Sequence, residues 1–160
     1  MSRILLFTDG SVNTQSNVGC GAYVNVYEGA LFDAAKLPPI HLKVFEHTSS
    51  TKLELQTLLW ALEEVKTFGE QIVIYTDSQN IIGLPNRRER FEKNGYITKQ
   101  KKLHEHALLY QAFYKMMDVL ECSLVKVKGH KLSGDKDEID RYFTLVDRAS
   151  REGVRKSVYM

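Results

Sequence analysis

The sequence has little in it that could staple or anchor a fold. Two cysteines, Cys20 and Cys122, allow one bridge at most, which excludes a disulfide scaffold. The opening run Ile4-Leu5-Leu6-Phe7 meets Asp9 too early to be the apolar core of a secretory leader. Both thiols therefore read as reduced, in a cytoplasmic protein. No apolar run approaches the roughly 20 residues that cross a bilayer, so no membrane association is expected. Neither Cys-x-x-Cys nor His-x-x-x-His occurs, so any metal would be a hard cation held by carboxylates rather than zinc. No sign of charge dominates either, with 22 Lys and Arg against 20 Asp and Glu. Internal repeats, low-complexity tracts and linkers are absent.

What remains is ordinary soluble-domain composition: 160 residues, 43% apolar and 26% charged. Residues 1–160 read as one domain, large enough to bury roughly two thirds of its unfolded surface. The charge is unevenly placed. From Asn86 to Lys102 there are seven basic residues, among them Arg87, Arg88, Lys101 and Lys102, against Glu89 and Glu92. A mildly acidic body with one basic stretch fits a polyanion-binding protein, although a solvated helix face would look the same. Phe91 and Tyr96 lie inside the stretch, as aromatics do in nucleic-acid contacts.

The periodicity divides the chain into elements. Ile4–Thr8, Gly21–Tyr27 and Ile40–His47 read as strands with short turns, an antiparallel meander. Pro38-Pro39 before the third suits an edge. From Thr51 to about Thr67, Leu55, Leu58, Leu59, Leu62 and Val65 recur at helical spacing. Ile72–Tyr75 reads as a buried strand, and a short helix begins at Ser78. A long helix is expected from Lys101 to Leu120, a fifth strand from Leu124 to Val127, and a last helix from Glu138 to Gly153. The fold class is α/β: a mixed five-stranded sheet, three antiparallel strands and then parallel ones, flanked by helices in the order βββαβαβα.

The acids fall at informative places. Asp9 and Asp77 each follow a buried strand. If those strands are parallel neighbours, the two carboxylates meet outside their carboxyl ends, where open α/β sheets bind ligands. Paired carboxylates repel, and a divalent cation resolves the conflict; Asp-Gly and Asp-Ser are also ordinary turn chemistry. Glu54 lies one turn before Leu58, on the inward side of its helix, where it needs a partner or a metal. Thr51-Lys52-Leu53-Glu54 also fits a capping box with Thr51 as N-cap. Asp147 sits on the last helix, four residues before Arg151 and able to pair with it. His130 follows a glycine in a loop and can titrate near neutrality.

Taken together and in order, Thr-Asp-Gly-Ser at 8–11, Leu-Glu-Leu at 53–55, Tyr-Thr-Asp-Ser-Gln at 75–79, Val-Lys-Gly-His at 127–130 and Val-Asp-Arg-Ala-Ser-Arg at 146–151 resemble the type 1 ribonuclease H family, nearly end to end. The resemblance implies a ribonuclease H-like fold and a metal-dependent endonuclease. Such an enzyme cuts the RNA strand of an RNA–DNA hybrid, leaving 3′-hydroxyl and 5′-phosphate ends. It implies two Mg²⁺ ions, with Mn²⁺ as a substitute, on Asp9, Glu54, Asp77 and Asp147, and His130 as the mobile histidine that shuttles protons or helps release product. Asp140, seven residues before Asp147, is the alternative fourth acid.

By the same resemblance, Ser11, Asn13, Ser49, Ser50, Thr51, Ser78 and Gln79 touch substrate. Arg87, Arg88, Lys101 and Lys102 belong to a basic protrusion that grips the DNA strand. The Asn-Pro-Gly common after the first motif is missing, so Asn13 and Asn17 compete for one role. The expected partner is the hybrid duplex, met by a monomer. Two alternatives come from the same superfamily: a hybrid-binding module without catalysis, and another nuclease. An exonuclease of that superfamily carries Asp-x-Glu in its first strand, where this chain has Asp9-Gly10-Ser11.

Overall fold

Ile4-Leu5-Leu6-Phe7 and Ile72-Val73-Ile74-Tyr75 are apolar at every position, and a strand of that kind must be covered on both faces. The computed structural model, which describes residues 3–66, 70–128 and 137–158, covers them so. The strands are β1 (Ile4–Asn13), β2 (Val18–Tyr27), β3 (His41–Phe45), β4 (Ile72–Thr76) and β5 (Cys122–Lys126). The helices are α1 (Ser50–Val65), α2 (Gln79–Lys93), α3 (Ala107–Val119) and α4 (Glu138–Val158). The sheet runs β3-β2-β1-β4-β5. β1, β2 and β3 are antiparallel, while β4 is parallel to both β1 and β5. The expected mixed sheet is present, with β3 at its edge.

Strand alternation sorts the side chains into two cores. Ile4, Leu6, Ile72 and Ile74 pack with Leu55, Leu58 and Leu62 of α1 and with Phe113 of α3. Leu5, Phe7 and Val73 face the other way, onto Tyr142, Phe143 and Val146 of α4. Each fully buried side chain of this size contributes about 1.5–3 kcal/mol, so both faces of β1 and β4 are strongly held. α1 approaches β2 so closely that a Cβ at Gly21 would stand 2.1 Å from Thr57 Oγ1. Cys20 and Cys122 are both free thiols.

Several boundaries differ from expectation: β1 runs on through Asp9-Gly10-Ser11 to Asn13 as an inner strand paired with β2, β2 begins at Val18, and α4 continues to Val158. The crossover between β4 and β5 holds two full helices, so the order is βββαβααβα. The short helix expected from Ser78 is a full one, α2, which runs through Pro85 to Lys93. Side chains add donors to the helix around the proline: Tyr114 of α3 donates to the Leu84 carbonyl at 2.6 Å, and Arg87 donates to the carbonyls of Gly83 and Asn80 at 3.3 and 2.7 Å. α3 begins at Ala107 and not Lys101, because Lys101 has a left-handed φ of 61° and Ile97 bridges Leu103 in antiparallel fashion. Finally, α1 is capped by Ser49, whose hydroxyl accepts from Lys52 N–H at 3.3 Å, so Thr51 and Glu54 do not form the capping box.

α2 ends in a Schellman turn. Tyr96 N–H donates to the Phe91 carbonyl at 2.9 Å and Gly95 N–H to that of Glu92 at 3.4 Å. Gly95 takes the positive φ this turn requires, 64°. The accompanying apolar contact is the Tyr96 ring stacked on Phe91, centroids 5.6 Å apart.

Candidate active site

Register puts the first two acids side by side. Phe7 pairs with Tyr75 in the parallel β1–β4 ladder. Asp9 and Asp77 each lie two residues further, at one level of the sheet and on the face of the stacked Phe7 and Tyr75 rings, 4.9 Å between centroids. That face is covered by α4, whose Tyr142 ring lies 5.4 Å from Phe7. α4 then carries Asp147 to Asp9.

The electrostatics show the four acids acting on one another. The Asp9 carboxyl is pushed up to about 8, first by burial, then by the charge of Asp77 and by its hydrogen bond with, and the charge of, Asp147; the Gly10 N–H opposes the rise. Glu54, at the start of α1, is also raised, by burial first and further by Asp77, against a hydrogen bond that favours its charged form. That bond comes from the Ser78 hydroxyl at 2.7 Å. Ser78 has a second duty as N-cap of α2, accepting from Ile81 N–H at 3.2 Å. Glu54 thus faces the acids as its apolar-side position requires, with Ser78 as its partner.

Asp147 also makes the ion pair with Arg151 read from the sequence, at 3.1 Å. Asp140 does something else: its carboxylate accepts from Asp137 N–H at 3.1 Å while its own N–H donates to Asp137 at 2.9 Å. This reciprocal pair closes the first turn of α4. Asp147, not Asp140, is the acid that interacts with Asp9. Among the described residues no three acid, His or Cys side chains converge tightly enough to enclose an ion. Glu54 is turned to Ser78 and Asp147 to Arg151. His130 lies outside the described residues.

The donor chemistry nevertheless suits hard cations. The set is all oxygen, and burial, with the charges of Asp77 and Asp147 beside it, pushes the Asp9 carboxyl up. A divalent cation at these oxygens would favour the charged form of each acid.

The remaining sequence-derived residues fall in two places. Ser49, with Asn17, Lys52 and His106, lines a cavity of about 360 Å³ at the start of α1. Asn13 is engaged in the β1–β2 turn, its Oδ1 accepting from Gln15 and Ser16 N–H at 2.9 and 3.1 Å. Ser50 is exposed at the head of α1, with Thr51 beside it partly covered; Ser11 lies on β1 opposite Cys20. Gln79, at the start of α2, accepts from Lys126 Nζ. Lys126, Lys52 and His106 carried no signal in sequence, since each reaches its neighbours only through the fold.

Arg88 and Arg87 are engaged within the protein. Arg88 makes a two-pronged bond to Asp118 of α3 at 2.6 and 2.7 Å, and Arg87 binds Asn80. Lys101 and Lys102 are exposed.

Comparison with known proteins decides the family. The sequence model of RNase H matches residues 1–154. The chain belongs to the RNase H family. It is 26% identical over 138 residues to a ribonuclease H of Syntrophomonas wolfei, covering 85% of this chain and 88% of that protein. A ribonuclease H of Chlorobium chlorochromatii is 26% identical over 157 residues, 97% of each chain. The fold agrees. The solution structure of the PFV RNase H domain superposes with a TM-score of 0.72 at 16% identity, over 97% of this chain and 96% of that one. The prototype foamy virus protease-reverse transcriptase gives a TM-score of 0.78 at 15% identity; there the match takes 96% of this chain but only 21% of the viral one.

Proposed function

We propose that this chain is a divalent-metal-dependent endoribonuclease that hydrolyses the RNA strand of RNA–DNA hybrids. The observation that carries the reading is the mutual electrostatic contact of Asp9, Glu54, Asp77 and Asp147 at the β1–β4 level, together with membership of the family. Asp9, Glu54, Asp77 and Asp147 would hold two Mg²⁺ or Mn²⁺ ions, which supply positive charge to the attacking and leaving oxygens of the phosphodiester. The protein's part is to bring four acids, carried by β1, α1, the end of β4 and α4, near one another at the inner strands β1 and β4 of the sheet. Ser78 orients Glu54, and α4 brings Asp147 to Asp9. His130 is assigned proton transfer or product release at the departing end.

On the substrate side, Asn17 and Ser49 offer short polar groups at the α1 cavity, of the kind that reads 2′-hydroxyls. Ser11, Asn13, Ser50, Thr51 and Gln79 extend that polar rim. Lys101 and Lys102 meet DNA-strand phosphates, with Arg87 and Arg88 on the same basic protrusion. Cleavage leaves 3′-hydroxyl and 5′-phosphate ends, and the protein acts as a monomer.

The test is incubation with an end-labelled hybrid in Mg²⁺ and in Mn²⁺, beside an Asp9→Asn control. Internal cuts in the RNA strand only, absent from the control, are expected. Hybrid binding without cleavage in either metal would instead make the chain a non-catalytic module, and cutting that survives Asp9→Asn would remove the metal-site reading.

A further inference from the structure

Away from the acids, a cavity of about 440 Å³ opens between the C-terminal half of α2 and the loop 94–104, within the size range of small-ligand sites. Its charge has one sign: Arg87, Arg90 and Lys99 line it, and none of the lining residues is acidic. Arg87 is held in place there. Its Nε and Nη2 are tied to Gly83 and Asn80, which fixes the guanidinium where the residue lines the cavity. A Cβ at Gly83 would stand 3.0 Å from Arg87 Nη2, so the glycine gives the guanidinium its room.

Aromatic rings line it beside the cations. Phe91 and Tyr96 are fixed by the Schellman turn, His104 lies edge-on to Phe91 at 5.9 Å, and Arg90 sits 5.7 Å from the Phe91 centroid. Asn94 and Gln100 add amides that can both donate and accept. The loop itself is ordered by backbone bonds, Thr98 N–H to the Lys102 carbonyl at 2.7 Å and His104 N–H to that of Tyr96 at 2.7 Å. The concavity is therefore built into the backbone.

Cations, aromatic rings and amides in one concavity match a nucleotide: phosphate, base face and base edge. In a duplex the base faces are stacked and the edges paired, so neither could enter. We infer that this cavity holds a nucleotide lying outside the paired hybrid, its phosphate on Arg87, Arg90 and Lys99 and its base against the Tyr96 side with Asn94 and Gln100 at its edge. The inference rests on the hybrid-binding reading above and extends it to unpaired nucleic acid next to the duplex. The same chemistry could come from a single-stranded extension of the hybrid or from a free mononucleotide.

The experiment measures binding without divalent metal, so that nothing is cut. The ligands are a blunt hybrid, the same hybrid with a short single-stranded DNA extension, the extension alone, and dAMP. The proteins are the whole chain and its Asn94→Ala/Gln100→Ala variant, both checked by thermal melting.

The extension is expected to tighten hybrid binding by about tenfold, the scale of one stacked, phosphate-held base. The double variant should lose that gain and keep blunt-hybrid affinity and cleavage. Saturable dAMP binding that the variant loses would support the same pocket with a free nucleotide as its source. Equal affinity for blunt and extended hybrids, with no binding of the extension or of dAMP, overturns the inference even if blunt hybrid is bound and cut. A gain that survives in the variant overturns it too. Failure to bind or cut any hybrid would defeat the hybrid-ribonuclease reading, while the extension and dAMP would still judge the pocket.

Discussion

The acidic corner and the basic protrusion are built on opposite principles. At the corner, like charges are brought together by rigid elements, and the Asp9 carboxyl is pushed up to about 8. On the protrusion one arginine is compensated within the protein. Arg88 closes on Asp118 and Glu92, its guanidinium lies 5.2 Å from the Tyr114 ring, and the whole assembly docks α2 on α3. The first region stores unfavourable electrostatics that a ligand can relieve. The second ties Arg88 down within the protein and keeps its other cations for a partner. Chemistry belongs with the strain, and grip with the relaxed surface.

Asp9→Asn should separate the two regions most sharply. Hybrid cleavage is expected to fall by roughly three orders of magnitude, the scale for removing a group at a reacting centre, while hybrid affinity without metal changes little. The same variant should be the more stable protein at neutral pH. The sign follows from the shift: a carboxyl raised on folding binds its proton more tightly in the native state, so its contribution is favourable in acid and is lost as pH rises from about 4, the unfolded value, toward about 8. Metal-free wild-type protein should accordingly lose stability across that window, by on the order of a few kcal/mol, and Asp9→Asn should flatten the fall. A parallel pH profile for the two proteins in chemical unfolding would show that Asp9 is not strained.

Gly21→Ala tests whether rigidity is what holds the corner. The added methyl would meet Thr57 Oγ1 at 2.1 Å, and overpacking of this kind costs about 1–3 kcal/mol. α1 carries Glu54, so the shift that relieves the clash moves an acid. We expect a melting point lower by several degrees and cleavage reduced by about tenfold, with the salt dependence of hybrid binding unchanged. Lower stability with full activity would mean that Glu54 tolerates displacement.

The sequence revealed much of the corner and less of the protrusion, for physical reasons. Ile4–Phe7 and Ile72–Tyr75 are legible because strands buried on both faces admit no polar position, and once they are neighbours the equal spacing to Asp9 and Asp77 fixes their level. Glu54 was ambiguous because Thr51-x-x-Glu54 satisfies a local rule. Ser49 took the cap, and Ser78, 24 residues on from Glu54, took the carboxylate. Asp140 and Asp147 share a helix face at seven residues' spacing. What divides them is Asp137, which pairs with Asp140 at the helix start and was readable as a local bond. The start of α2 at Ser78 was legible and its length was not, because Pro85 disfavours a helix interior and the Tyr114 hydroxyl that ties the Leu84 carbonyl lies on another helix.

The smallest expected effect lies on the protrusion, where the contrast can be read through salt. Removing one phosphate-binding cation lowers the slope of log affinity against log salt by about 0.9 on duplex DNA. Lys101 and Lys102 are exposed, so replacing both with Ala should weaken hybrid binding several-fold at moderate salt and reduce the slope by up to about 2, with the cleavage rate at saturating hybrid unchanged. Arg88→Ala should alter the slope less, because its guanidinium is already closed on Asp118, and should instead lower the melting point by loosening α2 from α3. If Arg88→Ala flattens the slope as much as the lysine pair does, Arg88 exchanges Asp118 for phosphate on binding, and the protrusion stores its charge in the same way the corner does.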